Sequence, residues 1–257
     1  MSDVAPTIDL NFPLTDRVAL VTGGGSGIGA AIAAALAAKG AKLALLDLNE
    51  AAAQQGADTL GNGAKAFGCD VSDPASVTSA VQNVLEAFGG IDIAVNSAGI
   101  VALAPAEDLS LDAWDKTIAI NLKGTFLVSQ AVGRAMIAAN KGGRIINLAS
   151  QAGTVAIDEH VAYCASKFGV IGLSKTLAAE WGKHGITVNT LSPTVVLTEL
   201  GKQAWAGQKG EDAKARIPVG RFAYPEEIAA AAVFLASDGA KMINGADLLI
   251  DGGYTII

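Results

Sequence analysis

The sequence predicts one α/β domain built on a parallel sheet with helices on both faces. Short runs rich in Val, Ile and Leu alternate with longer Ala-rich segments along the 257 residues, which is the rhythm of repeated strand–helix crossovers. The strand runs are almost continuously apolar, as expected where both faces of a sheet are covered. Hydrophobic residues make up 51% of the chain and aromatic residues only 5%, which suits close packing of small helices on a sheet. No repeat, low-complexity tract or linker divides the chain, so residues 17–257 are predicted as a single Rossmann-type doubly wound domain of about seven strands. Residues 1–16 are predicted as an exposed tail.

Strands are predicted at Val18 to Val21, Leu43 to Leu46, Ala66 to Cys69, Ile91 to Val95, Arg144 to Leu148, Thr187 to Leu191 and Asp247 to Ile250. Helices are predicted at Gly27 to Lys39, Glu50 to Leu60, Pro74 to Phe88, Leu111 to Ala139, Val161 to Lys183 and Pro225 to Ala236. Pro74 and Pro225 stand where a helix can begin, and Gly40, Gly89 and Gly185 where helices stop. Residues 195–221 break the rhythm: they are polar and contain Gly and a lone Trp205, which predicts an irregular loop over the substrate.

Composition also excludes partners. A formal net charge of −7 argues against a nucleic-acid backbone or an anionic membrane as ligand. The longest apolar runs, Ile28 to Ala38 and Ile228 to Ala236, fall short of the ~20 residues that a membrane span needs, and the acidic start lacks the features of a signal peptide. Cys69 and Cys164 read as small buried hydrophobes in a reducing, cytoplasmic setting, and His160 and His184 are not spaced as metal ligands.

The first strand runs directly into Thr22-Gly23-Gly24-Gly25-Ser26-Gly27-Ile28-Gly29 and an Ala-rich helix. Such a turn lets backbone approach a pyrophosphate and sets that anion against the helix N-terminus; a tight turn without a ligand is the plainer reading. Asp47 ends the second strand, where a carboxylate can bond an adenosine ribose and repel a 2′-phosphate. No Lys or Arg at Gly24, Gly25, Ser26, Leu48 or Asn49 offsets it, so NAD is expected over NADP unless Asp47 only caps a turn. Asp70 and Val71 end the third strand. There Asp70 either meets the adenine or caps the following turn. Asn96-Ser97-Ala98-Gly99 ends the fourth strand at the carboxyl edge of the sheet, where ligands collect in open α/β folds.

Tyr163 and Lys167 stand four residues apart in a predicted helix, and Ser150 lies thirteen residues upstream of Tyr163 at the end of a strand. Residues i and i+4 share a helix face, so the ammonium is placed to favour an ionised phenol; a surface pair is the alternative. Taken together, TGGGSGIG, the acidic ends of strands two and three, NSAG, Asn121, Ser150, Tyr163 and Lys167 resemble the short-chain dehydrogenase/reductase family over essentially the whole chain from Arg17 onward. The resemblance implies Tyr163 as general base, Lys167 acting on Tyr163 and on the nicotinamide ribose, and Ser150 polarising the substrate oxygen. It implies that Asn121 holds a water relaying protons from Lys167. Gly23, Ser26, Gly27, Ile28 and Gly29 would cradle the cofactor, with Asp47, Asp70, Val71, Asn96, Ala98 and Gly99 along its length. Pro193 to Thr198 resembles the nicotinamide-side loop, with Val196 and Thr198 meeting the carboxamide; Thr194 departs from the usual Gly, and Ser97 from a commoner Asn. No metal is implied.

The substrate arm between Ser150 and Tyr163 carries Gln151, Thr154, Asp158, Glu159 and His160, a set suited either to solvent or to a polyhydroxylated substrate. The runs NLASQAGTVAIDEHVAYCASKFGVIG, SPTVVLTELGKQAWAG and LLIDGGYTII resemble polyol dehydrogenases that oxidise D-threitol or D-arabitol to ketoses. On that basis Ser150, Gln151, Thr154, His160 and Tyr163 are expected to meet the polyol, with a homotetramer formed partly through the C-terminal segment. A 3-oxoacyl-thioester reductase and a non-enzymatic NAD-binding sensor are the alternatives, the first disfavoured by Asp47 and the second by the presence of Ser150, Tyr163 and Lys167 together.

Overall fold

The computed structural model describes residues 8–257. Seven strands form one wholly parallel sheet in the order β3-β2-β1-β4-β5-β6-β7. They span Val18–Thr22 (β1), Lys42–Asp47 (β2), Lys65–Gly68 (β3), Ile93–Asn96 (β4), Gly143–Leu148 (β5), Ile186–Pro193 (β6) and Asp247–Ile250 (β7). The order reverses between β1 and β4, and this switch point opens a crevice at the carboxyl ends of the strands.

Alternate residues of each central strand feed opposite layers, the consequence of a side-chain period of two. Ala19, Val21, Leu43, Leu45, Ile93 and Val95 pack under α1 (Gly27–Ala38), α2 (Glu50–Leu60) and α9 (Pro225–Ala236). Leu20, Ala44, Leu46 and Ala94 pack under α3 (Pro74–Phe88), α5 (Thr125–Ala139) and α6 (Val161–Trp181). Asp73 accepts from Ala75 N–H and Ser76 N–H to cap α3, as the Asp-Pro pair predicts.

Four departures from the sequence reading have physical causes. The predicted helix 111–139 is interrupted: α4 (Leu111–Ile118) passes through one π-helical turn, Ala119–Gly124, before α5 resumes. Residues 195–221 hold two short helices, α7 (Glu199–Ala204) and α8 (Gln208–Ala215). These are stabilised by the Thr198 cap and by the ion pairs Glu199–Lys202 and Glu211–Lys214 rather than by an apolar stripe, so hydrophobic periodicity does not reveal them. The segment before β1 is not simply a tail: Leu14 is buried in the core, and the Phe12 ring meets the Phe234 ring at 5.5 Å, while residues 1–7 lie outside the described residues. The edge strand β7 leaves Leu248 and Leu249 exposed, although the run reads as a buried strand.

Candidate active site

A cleft of about 1090 Å³ lies over the switch point, walled by the glycine turn, the ends of β2 to β6, the arm before α6 and the lid helices α7 and α8. Gly23 and Gly27 adopt φ of 64° and 55°, which L side chains seldom do, so the turn between β1 and α1 depends on glycine. A Cβ on Gly29 would come within 2.2 Å of the Gly23 carbonyl oxygen; glycine there lets α1 seat directly on the turn. Ser26 makes no side-chain hydrogen bond that caps α1, so the first amides of the helix face the cleft without an internal acceptor. This arrangement fits a pyrophosphate.

At the far end of that turn Asp47 is half-buried. Its two oxygens accept from Gly25 N–H and Asn49 N–H, each at 3.0 Å. The carboxylate thus shapes the glycine turn as well as lining the cleft, and its remaining lone pairs stay available for ribose hydroxyls. Asp70 lines the cleft beside Val71, and its Oδ1 accepts from Ser72 N–H at 2.9 Å and Ser72 Oγ–H at 2.7 Å. Those bonds hold its pKa below the ordinary carboxylate range.

Asn96 does not offer its side chain to the cleft. Its side chain turns into the protein, where Nδ2 donates to Ser129 Oγ and Asn147 Oδ1, so it ties β4 to α5 and β5. Ala98 and Gly99 do line the cleft, and Thr22 Oγ1 accepts from Ser97 N–H and Ala98 N–H to hold them there. Asn121 sits fully buried in the π turn, a distortion that recurs at functional sites. Its Oδ1 accepts from Ile100 N–H at 2.8 Å, and its Nδ2 donates to the Ile100 carbonyl at 2.8 Å and to Ser166 Oγ at 3.1 Å.

Ser150, Tyr163 and Lys167 meet in the cleft. Ser150 caps the turn Gln151–Gly153 by accepting from Ala152 N–H. Lys167 lies on the buried side of α6, where Nζ donates to the Leu148 carbonyl at 2.6 Å and stands 5.5 Å from the centre of the Tyr163 ring. Burial lowers the Lys167 ammonium to about 8. Burial also raises the Tyr163 phenol above its ordinary range, with the Ser150 hydroxyl opposing. This direction is the reverse of that expected from the i, i+4 spacing. The ammonium is engaged by the strand carbonyl and itself desolvated, so in the free chain it does not overcome the burial of the phenol.

The arm before α6 divides. Gln151 and His160 line the cleft, with Ile157, Asp158 and Glu159, whereas Thr154 is exposed and lies outside it. The Asp158 carbonyl can only accept, so His160 Nδ1 donates to it. Val196 and Thr198 line the lid side, and Thr198 Oγ1 accepts from Gly201 N–H to cap α7. Two buried polar atoms of cleft-lining residues, Gln151 Oε1 and Thr194 Oγ1, have no partner among the described residues, as expected of groups that bind a ligand. Phe222 and Tyr254 also line the cleft. The sequence reading assigned neither to it; the double glycine 252–253 ahead of Tyr254 was the available signal for a chain reversal.

A switch-point cleft with a glycine turn at one end and Ser150, Tyr163 and Lys167 at the other defines a nucleotide-dependent oxidoreductase, and the chain belongs to the short-chain dehydrogenase/reductase family. Residues 23–255 match the family model described as Enoyl-(Acyl carrier protein) reductase. The chain is 64% identical over 253 residues to D-threitol dehydrogenase of Mycolicibacterium smegmatis, covering 97% of each protein. It is 50% identical over 248 residues to NAD-dependent glycerol dehydrogenase of Listeria innocua, covering 96% of this chain and 97% of that protein. The crystal structure of a short-chain type dehydrogenase/reductase from Mycobacterium marinum superposes with a TM-score of 0.90 at 36% identity, over 96% of this chain and 98% of that one. The cleft accordingly takes a nicotinamide cofactor.

Proposed function

We propose that the protein is an NAD-dependent polyol dehydrogenase that oxidises a secondary hydroxyl of a small sugar alcohol to a ketone. D-threitol to D-erythrulose is the first choice, followed by D-arabitol or xylitol. The observation that carries the reading is the polar arm beside the acid/base group: Gln151 Oε1 is buried without a partner among the described residues, and the His160 ring lines the same cleft. A polyol supplies a hydroxyl donor for that oxygen, whereas an apolar alcohol would leave it unpaired at a cost of about 1–3 kcal/mol. The likeness to D-threitol dehydrogenase supports the same choice.

When bound, NAD+ supplies the hydride acceptor and a positive charge. Ser150 orients the carbinol oxygen, and Tyr163 takes its proton as the carbon is oxidised. Lys167 would bond the cofactor ribose and, with a water held at Asn121, would return the proton to solvent. Asp47 would hold the adenosine ribose and disfavour a 2′-phosphate, since no Lys or Arg stands at Gly24, Gly25, Ser26, Leu48 or Asn49. Exposed Leu248, Leu249, Ile256 and Ile257 support a homotetramer, and light scattering at micromolar concentration should report four subunits. The cytoplasm, with both thiols reduced, is the proposed setting.

The reading is tested by a panel of four- to six-carbon polyols and glycerol with NAD and NADP. Turnover of D-threitol with NAD supports it. Activity on acetoacetyl thioester with NADPH, and on no polyol, would overturn it.

A further inference from the structure

Beyond the arm before α6, the cleft has a wall made by the last turn of the chain. Gly252 and Gly253 take φ of 62° and 89°, and the backbone reverses into a short 3-10 turn, Tyr254–Ile256. The reversal is fixed from one point. Asp251 is buried, and its carboxylate accepts from Gly253 N–H at 2.9 Å, Thr255 N–H at 2.9 Å and Thr255 Oγ–H at 2.8 Å. None of these bonds uses the Tyr254 phenol. The side chain is half-buried and lines the same cleft as Ser150 and Tyr163.

The turn also carries the return of the lid. Val219 N–H donates to the Gly252 carbonyl at 3.1 Å. A Cβ on Gly252 would lie 2.6 Å from Ile217 Cγ2, and one on Gly253 would lie 3.0 Å from Pro218 Cγ. Ile217 itself lines the cleft. The chain leaving α8 therefore rests directly on the turn that presents Tyr254, and lid and C-terminus form one wall.

We infer that Tyr254 is a specificity-determining residue: its phenol closes the lid-side end of the substrate cleft and bonds a hydroxyl of the polyol other than the one Tyr163 deprotonates. The inference rests on the polyol reading. A phenol is suited to this position because its ring limits the length of the space while its oxygen both donates and accepts, as a substrate hydroxyl does. Asp251 fixes the backbone on both sides of Tyr254, so the residue is placed at the cleft wall before substrate arrives.

Tyr254→Phe, which removes the oxygen and keeps the ring, should raise KM for D-threitol about five- to tenfold, the equivalent of one neutral hydrogen bond, with kcat changed less than about twofold. The Kd for NADH, read by fluorescence, should stay at the wild-type value, which also reports an intact fold. Tyr254→Ala should raise kcat/KM for six-carbon polyols relative to four-carbon ones. If the wild type turns over a polyol and Tyr254→Phe matches it for every polyol, the inference fails and the function stands. A weakened NADH Kd in Tyr254→Phe would assign the residue to the cofactor and equally overturn it. A wild type inactive on all polyols would remove the underlying reading itself.

Discussion

Asn121→Ala should cost the protein about 2–4 kcal/mol of stability, although the change is made inside a helical segment where Ala is the better helix former. The cost follows from its partners. Asn121 Oδ1 and Nδ2 bond both backbone groups of Ile100, each at 2.8 Å, and the substitution leaves the Ile100 N–H and C=O without them. Each backbone group so orphaned costs about 1–3 kcal/mol, and because Ile100 is half-buried, water reaches it in part and holds each cost in the lower half of that range. The Ser166 hydroxyl still donates to the Tyr163 carbonyl at 2.7 Å, so loss of its bond to Asn121 adds little. The assay is denaturant unfolding with and without substitution, comparing midpoints at a common slope. NADH titration of the same variant should show weaker binding, because Ala98 and Gly99 line the cleft just before Ile100. A destabilisation under about 1 kcal/mol together with unchanged NADH affinity would refute the claim that the π turn anchors this edge of the cleft.

Tyr163→Phe should bind NADH as the wild type does and lose on the order of 10²–10⁴ in kcat, the usual range for one general acid/base; near-normal turnover would remove the phenol from the chemistry. Asp47→Asn retains one acceptor oxygen and removes the charge, so the preference for NAD over NADP, as the ratio of kcat/KM values, should fall about tenfold or more; an unchanged ratio would mean that Asp47 serves the Gly25 and Asn49 amides alone. Burial raises the Cys69 thiol to about 11 from an ordinary value of 9.0, with the Ser76 hydrogen bond opposing. The folded chain keeps that proton where the unfolded chain has lost it, so the stability contributed by the neutral thiol is complete below pH 9 and is lost as pH rises to about 11. Cys69→Ala should abolish about 2–3 kcal/mol of that alkaline loss, measured as the difference in unfolding free energy between the two pH values, and an identical pH dependence in both proteins would contradict the assignment.

Much of the site was legible because the relevant distances are short along the chain or fixed by the fold class. Asp47 is expected at the end of the second strand, facing the ribose side of the site; the structure puts it in the cleft wall and adds a bond to Gly25 N–H. Ser150, Tyr163 and Lys167 were grouped by motif, and the cleft brings them together. The direction of the Asn96 side chain was not legible because residues at a strand end can face either the ligand edge or the neighbouring strands, and only the packing of α5 and β5 shows which. The π turn was invisible because the helical pattern runs through it from residue 111 to residue 139.

By itself the sequence determined the parallel sheet and the glycine turn, since each follows from local spacing and from apolar runs too continuous for a half-exposed sheet, and it grouped Ser150, Tyr163 and Lys167 as the candidate acid/base set. Tertiary structure decided what those groups experience. Burial, which no local pattern records, raises the Tyr163 phenol and brings Lys167 down to about 8. The return of the last turn onto the segment after α8, an approach between stretches that are distant along the chain until both are folded, puts Tyr254 in the wall of the cleft.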